Sequence, residues 1–422
     1  MRLQILRFPV ASRHDARVAG ALLLFLWLFF AWRIHQGISA GLTDNSVFGA
    51  DGGENFQALA HHRYWGLGYR KHILACIWAA LTVAPMQLAG LSNALAGSIS
   101  FGFVGAAGPA LLFLVFRRVG AATAGAVALT MAFVASYGFV TIASVIETYA
   151  LTFAISSLAL LLMMSWVHAD AARGRFGWVL PAVASGIAGW TNLPAAAFAL
   201  IWGGVVWPEN SDSGRQRTAI AQGMTAAATA VVIAAAPIAL AGMVVGFKEL
   251  NTIVATYASF DHFIDGTILR DYAATIGGYV FVSPSDQLAC RYQVDMLAHL
   301  FVDPVRAATM VGWWVLIGGG LFVGLVKGVL RPIVCAAGAT ILGFVLFYAY
   351  LAPQAALLFA LQWFPAVGLL IAPLLIRYPR AWILAAAVAL ASLWLNAPIF
   401  ERGPLNDFAA VCPPALQINS GL

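Results

Sequence analysis

The sequence predicts an all-α polytopic membrane protein, and three observations carry that prediction. Of the 422 residues, 62% are hydrophobic and 9% are charged, at a mean hydropathy of +0.86. A water-soluble chain of this length has no way to hide that much apolar surface. Apolar runs of about 20 residues recur along the chain, each long enough to cross a bilayer core as a helix. Fourteen Trp and eleven Tyr suit belts at the two membrane interfaces. The expectation is a single integral membrane domain spanning 1–422.

The runs are taken in order. Arg2, Arg7, Arg13 and Arg17 precede the first run, 18–34. No A-x-A type of cleavage site follows closely, so the run reads as a first membrane helix with a cytoplasmic N-terminus. A polar loop follows, then an apolar stretch at 73–91, then a run at 94–116 that ends in Arg117-Arg118. If 73–91 crossed the membrane, the ten cations at 117–118, 173–175, 215–217, 327–331 and 377–380 would lie outside, with only five of the later cations (Lys248, Arg270, Arg291, Arg306 and Arg402) inside. That inverts the positive-inside rule. Placed on the outer surface as a juxtamembrane helix, 73–91 leaves fourteen cations inside. The outside then holds nine cations and thirteen of the seventeen acids. The remaining spans are expected at 121–140, 149–167, 178–190, 195–207, 220–245, 307–326, 332–351, 355–376 and 381–395. The total is about 11 transmembrane helices, with the C-terminus external.

Within this scheme 38–93 is the first external loop, 246–306 a second large external segment, and 398–422 an external tail. The pair 178–190 and 195–207 is short and joined by the polar turn Thr191-Asn192-Leu193-Pro194. These helices are expected to tilt or to end below the surface. The patch 273–282, with Gly277-Gly278, is apolar enough to dip into the interface. Cys290 and Cys412 share the outer side and can pair there, although two cysteines carry no geometric information. Heavy use of Ala and Gly points to a GC-rich bacterial genome, hence an inner membrane with the active site on its periplasmic face.

The residues that carry chemistry cluster in the first loop. Between Asp51 and His72 the chain packs Asp51, Glu54, His61, His62, Arg63, Arg70, Lys71 and His72 into 22 residues. Asp51 suits a general base, a cation ligand or a helix cap. Glu54 suits a site or a first helical turn. Glu147 sits in Glu147-Thr148-Tyr149-Ala150-Leu151, at the outer junction of two spans. An ionisable group beside the apolar zone is a functional candidate, with a water-accessible interfacial acid as the plain alternative. Arg63, Arg70, Lys71 and His72 suit a phosphate at the headgroup level or simple headgroup attraction. Arg270 and Arg291 are weaker phosphate partners. His61-His62 lacks a zinc spacing, and His35, His262 and His299 have no motif around them. No P-loop and no G-x-S-x-G elbow appears.

Several short motifs in this order resemble the GT-C superfamily of membrane glycosyltransferases, most closely its protein-O-mannosyltransferase-like branch. Asp51-Gly52-Gly53-Glu54 matches an Asp-x-Gly-Glu element. His72-Ile73 matches a His-Pro element only in part, since the proline is missing. Glu147-Thr148-Tyr149-Ala150-Leu151 matches Glu-Val-Tyr-Ala-Leu, and Tyr350-Leu351-Ala352-Pro353 resembles a Tyr-x-x-Pro element. The resemblance spans about 18–395 and lacks the soluble C-terminal domain of many relatives. It implies a polyprenyl-phosphate sugar donor and an acceptor hydroxyl on a protein, lipid or glycan. It also implies Asp51 as the base of a one-step inversion. Arg70, Lys71 or a divalent cation (Mg or Mn) would neutralise the leaving phosphate, and Glu54 and Glu147 would orient the acceptor or hold that cation. Metal ligands are otherwise unknown. The rival expectation is a transporter or lipid flippase without covalent chemistry; a non-catalytic partner of such an enzyme is a third. No internal repeat favours transport, and nothing in the charge distribution points to nucleic acid.

Overall fold

The computed structural model describes residues 12–39, 52–64, 72–167, 176–207, 213–245, 258–282, 303–351 and 356–402. Among these residues every regular element is helical. The helices are α1 (Arg13–Ser39), α2 (Gly52–Ala60), α3 (Ile73–Leu88), α4 (Asn93–Arg118), α5 (Thr123–Ala135), α6 (Tyr137–Ala143), α7 (Thr148–Trp166), α8 (Val179–Gly189), α9 (Ile201–Val205) and α10 (Ser213–Val245). They continue with α11 (Gly266–Ala274), α12 (Pro304–Leu325), α13 (Arg331–Leu351), α14 (Ala356–Arg377) and α15 (Trp382–Arg402).

Among the described residues, seven helices are long and apolar enough to cross a membrane: α1, α4, α7, α10, α12, α13 and α15. The broken pair α5–α6 makes eight if it counts as one span. The chain is therefore a helical, membrane-embedded protein. Eleven crossings are not established: the other expected spans correspond to the shorter apolar stretches Val179–Gly189, Leu193–Val205 and Leu361–Arg377 and to the broken pair α5–α6. α3 has 16 residues, about 24 Å at 1.5 Å per residue, short of a bilayer core of about 30 Å. It buries one stripe, Ala75, Cys76, Ala79 and Val83, and leaves Leu81 and Leu88 exposed. Trp78 on its flank donates to Ser100 Oγ of α4 at 2.9 Å.

Close helix packing depends on small residues, as expected where lipid offers no hydrophobic drive between helices. α1 lies so tightly on α4 that a Cβ on Gly102 would fall 2.6 Å from the Ala31 backbone nitrogen. At one edge Asp15 and Arg117 form an ion pair at 2.6 Å, tying the N-terminal end of α1 to the C-terminal end of α4.

The expected continuous span at 121–140 is instead two helices bent by 69° at Ser136. A bend strips intrahelical partners from the backbone on both sides, and in an apolar setting those groups need others. The chain supplies them from far away. Tyr137 and Gly138 donate their N–H groups to Phe281 and Val280 carbonyls at 3.1 and 2.9 Å. Asn396 Nδ2 of α15 donates to the Ala135 carbonyl at 2.6 Å. The segment Val280-Phe281-Val282 is accordingly fully buried, with Phe281 stacked on Trp313 at 4.4 Å and on Phe364 at 5.8 Å. The patch 273–282 is apolar enough to dip into the interface, and in the structure its C-terminal end is a core element. The turn after α8 also departs from a regular helix: Leu193–Leu200 is a 3-10 segment running into α9.

Candidate functional site

Of the expected site residues, Asp51, Arg70 and Lys71 lie outside the described residues, as does the side chain of Glu54. Cys290 and Cys412 lie outside them too. The others can be placed. Arg63 is exposed just after α2. Glu147 is 1% exposed and His72 is 7% exposed.

Glu147 is the N-cap of α7. Its Oε1 accepts from the Thr148 N–H at 2.6 Å and from the Thr148 hydroxyl at 3.0 Å. A carboxylate suits this position, because it meets orphan N–H groups and the positive end of the helix dipole. Burial of such a group beside an apolar bundle nonetheless carries a desolvation cost.

α2 reaches the same place from the first loop. Asn55 Nδ2 donates to the carbonyl of Ile146 at 3.1 Å, and Asn55 is itself buried. Glu54 precedes one partner of that bond and Glu147 follows the other. The first turn of α2, which holds Glu54, is thus pinned to the junction that presents Glu147.

His72 approaches from the start of α3. It occupies the N-cap position without using its ring as a cap. Nδ1 instead meets the Thr191 carbonyl of the polar turn after α8. A carbonyl only accepts, so Nδ1 carries the proton and neutral His72 keeps its lone pair on Nε2. The ring packs edge-on against Tyr149, with centroids 5.5 Å apart. The adjacent Leu74 N–H donates to the Trp190 carbonyl at 3.3 Å, so α3 begins by docking on the α8 turn.

A polar seam continues inward from that turn. Tyr348 of α13 donates its hydroxyl proton toward Asn192 Oδ1 at 2.9 Å and Gln362 Oε1 at 2.7 Å. One hydroxyl has one proton, so one of the two amides is turned to donate to the Tyr348 oxygen. Asn55, Tyr149, Asn192, Tyr348 and Gln362 did not stand out as site residues in the sequence. Gln362 had a signal: it is the one amide in the apolar run 355–376, and a polar group there needs a partner.

Of the adjacent pair His61-His62, His62 has a structural explanation. His62 takes a left-handed backbone, φ 54°, which turns the chain after α2. Its Nδ1 lies 3.0 Å from the Tyr64 hydroxyl and 3.2 Å from Gln87 Oε1. Gln87 Nε2 in turn donates to the Leu59 carbonyl at 3.1 Å and Asn93 Oδ1 at 2.9 Å. These bonds tie together the ends of α2 and α3 and the start of α4. Burial raises the Tyr64 hydroxyl pKa above its ordinary range, so it works here as a neutral donor. Among the described residues no three His, Cys, Asp or Glu side chains converge as metal ligands.

Comparison of the chain with family models, with curated proteins and with solved structures returns no match.

Proposed function

We propose that the chain is an inverting glycosyltransferase of GT-C type, resembling the protein-O-mannosyltransferase-like branch. It moves a sugar from a polyprenyl-phosphate donor to an acceptor hydroxyl at the external face of a bacterial inner membrane. The reading includes about 11 crossings, a cytoplasmic N-terminus and α3 lying along the outer surface. The observation that supports it best is the meeting of two separate acidic stretches. Buried Glu147 caps α7 while the first turn of α2 is held against the same junction by Asn55.

In this mechanism the acceptor oxygen attacks the anomeric carbon as Asp51 takes its proton. The new carbon–oxygen bond forms as the bond to the donor phosphate breaks, and polyprenyl phosphate leaves with the electron pair. Glu54 and Glu147 hold the acceptor. Arg63, Arg70, Lys71 and His72 face the leaving phosphate. His72 offers only Nε2, because its Nδ1 is engaged by Thr191, so it contacts the phosphate directly only when protonated. A divalent cation would find hard oxygen donors in Asp51, Glu54 and Glu147 and would supply charge neutralisation when bound. No step above runs through it.

One observation favours the rival reading. Two breaks, at Ser136 and after α8, place irregular backbone inside the bundle, as discontinuous helices do in transporters. Two assays on one preparation separate the readings: transfer of radiolabelled sugar from a polyprenyl-phosphate pool, and uptake into liposomes. Transfer without uptake supports the enzyme; uptake without transfer removes it.

A further inference from the structure

The segment that leads into α11 exposes large apolar side chains where a water-facing loop would carry polar ones. Phe260 is 73% exposed and Ile264 is 80% exposed, and Leu269 on α11 is exposed as well. Phe260 opens a single 3-10 turn, Phe260–Phe263, and that turn is fixed to the end of α13. The Ser259 N–H donates to the Tyr350 carbonyl at 3.1 Å. His262 Nδ1 lies 3.2 Å from the same carbonyl. The Phe260 ring rests on the Tyr350 ring, with centroids 4.8 Å apart.

What covers these side chains follows from α13. Leu342, Leu346 and Tyr350 stand four residues apart on one stripe of a membrane-length helix, and Leu342 and Leu346 are exposed. On an embedded helix an exposed apolar stripe faces lipid. Phe260 sits on the last residue of that stripe and so continues the lipid-facing surface past it. α13 has 21 residues, about 32 Å at 1.5 Å per residue, close to a hydrocarbon core of about 30 Å. Tyr350 therefore stands at the interface, which suits its ring and hydroxyl. The rest of the segment goes deeper. The Tyr272 hydroxyl donates to the Val345 carbonyl of α13 at 2.7 Å. Trp314 Nε1, about three turns into α12, donates to the Gly277 carbonyl at 2.7 Å. Polar groups limit how far the entry point itself sinks. Asp261, Asp265 and Arg270 are exposed beside the apolar side chains, and Asp265 Oδ1 accepts from the Ile268 N–H at 3.1 Å. An apolar pair, Phe260 and Ile264, thus lies next to an acidic pair, Asp261 and Asp265. That is the pattern of a segment that buries one side shallowly and keeps its charges among headgroups.

We propose that Phe260, Ile264 and Leu269 form a wedge that inserts into the lipid surface beside the end of α13, among the acyl chains of the adjoining leaflet. It anchors the chain where it begins its descent toward Val280-Phe281-Val282. The wedge uses neither Glu147 nor the first loop, so it stands apart from the transferase reading.

The test uses the full chain with its native cysteines replaced, in phosphatidylcholine nanodiscs. A nitroxide is attached in turn to Phe260→Cys, Ile264→Cys and Leu269→Cys, with Asp261→Cys and lipid-facing Leu342→Cys as references. Collisions with oxygen, which concentrates in lipid, are compared with collisions with a water-soluble nickel chelate. The oxygen-to-nickel ratio at 260, 264 and 269 is expected to lie several-fold above that at 261 and to approach that at 342. A ratio at 260 and 264 no higher than at 261 would overturn the proposal, because the segment then stands in water. Low accessibility to both reagents would overturn it as well, because another part of the chain or a second copy then covers the face. If Phe260→Cys does not fold for want of its Tyr350 contact, the more exposed Ile264→Cys decides by the same criteria.

Discussion

Three side chains of the proposed site can be tested separately at the residue scale. Glu147 caps α7 with one carboxylate oxygen. Glu147→Gln keeps an oxygen for that bond and loses only the charge. Folding should change by less than about 1 kcal/mol, while transfer falls by roughly 10- to 100-fold, as read by kcat in detergent beside a thermal unfolding curve. Asn55→Ala should behave differently. It leaves the buried Ile146 carbonyl unpaired and should cost about 1–3 kcal/mol, and it should reduce transfer because the first turn of α2 loses its tether. His72→Ala strips the Thr191 carbonyl of its donor and should destabilise by a similar amount. Part of this was legible in the sequence: an isolated Glu at the junction of two apolar runs marks itself by cost alone. The His72–Thr191 bond was not, because its partners stand 119 positions apart and no local pattern encodes the pairing.

At the scale of elements, helix positions were legible because apolar runs bounded by Arg pairs or turns define them. Arg117-Arg118 ends α4 where the sequence placed the end of a span. The break between α5 and α6 was not legible. Residues 121–140 read as one apolar run, and the bend at Ser136 is stabilised by Val280, Phe281 and Asn396, all distant in the chain. Asn396→Leu should therefore leave the Ala135 carbonyl unpaired and cost about 1–3 kcal/mol, measurable as a lower unfolding midpoint in detergent. Gly102→Ala tests the α1–α4 contact. Its Cβ would meet the Ala31 backbone, which has no flexible end to move aside, and the expected loss is about 1–3 kcal/mol.

For the whole molecule, composition alone fixed membrane embedding, because no other solvent accommodates this apolar fraction. The number of crossings was harder to read, since α3, α8 and α9 are apolar but short. Hydrophobicity does not separate a span from a surface or partly inserted helix of similar composition. The cation distribution makes a sharper prediction. With native cysteines replaced, a cysteine at exposed His61 should react with an impermeant maleimide from outside intact cells, and one at Gly120 should not. The reverse pattern would invert the topology and move the site to the cytoplasm.

The central claim is that Asp51 and Glu147 serve sugar transfer from a lipid phosphate. Its most direct measurement is release of free polyprenyl phosphate by the purified protein, given a mixed polyprenyl-phosphate sugar pool and crude acceptor extract. Wild type is compared with Asp51→Asn and Glu147→Gln. The account predicts release by wild type and a loss of roughly 100- to 10,000-fold in Asp51→Asn, with all three proteins folded. Release undiminished in both variants, or absent from wild type with every donor, would contradict it.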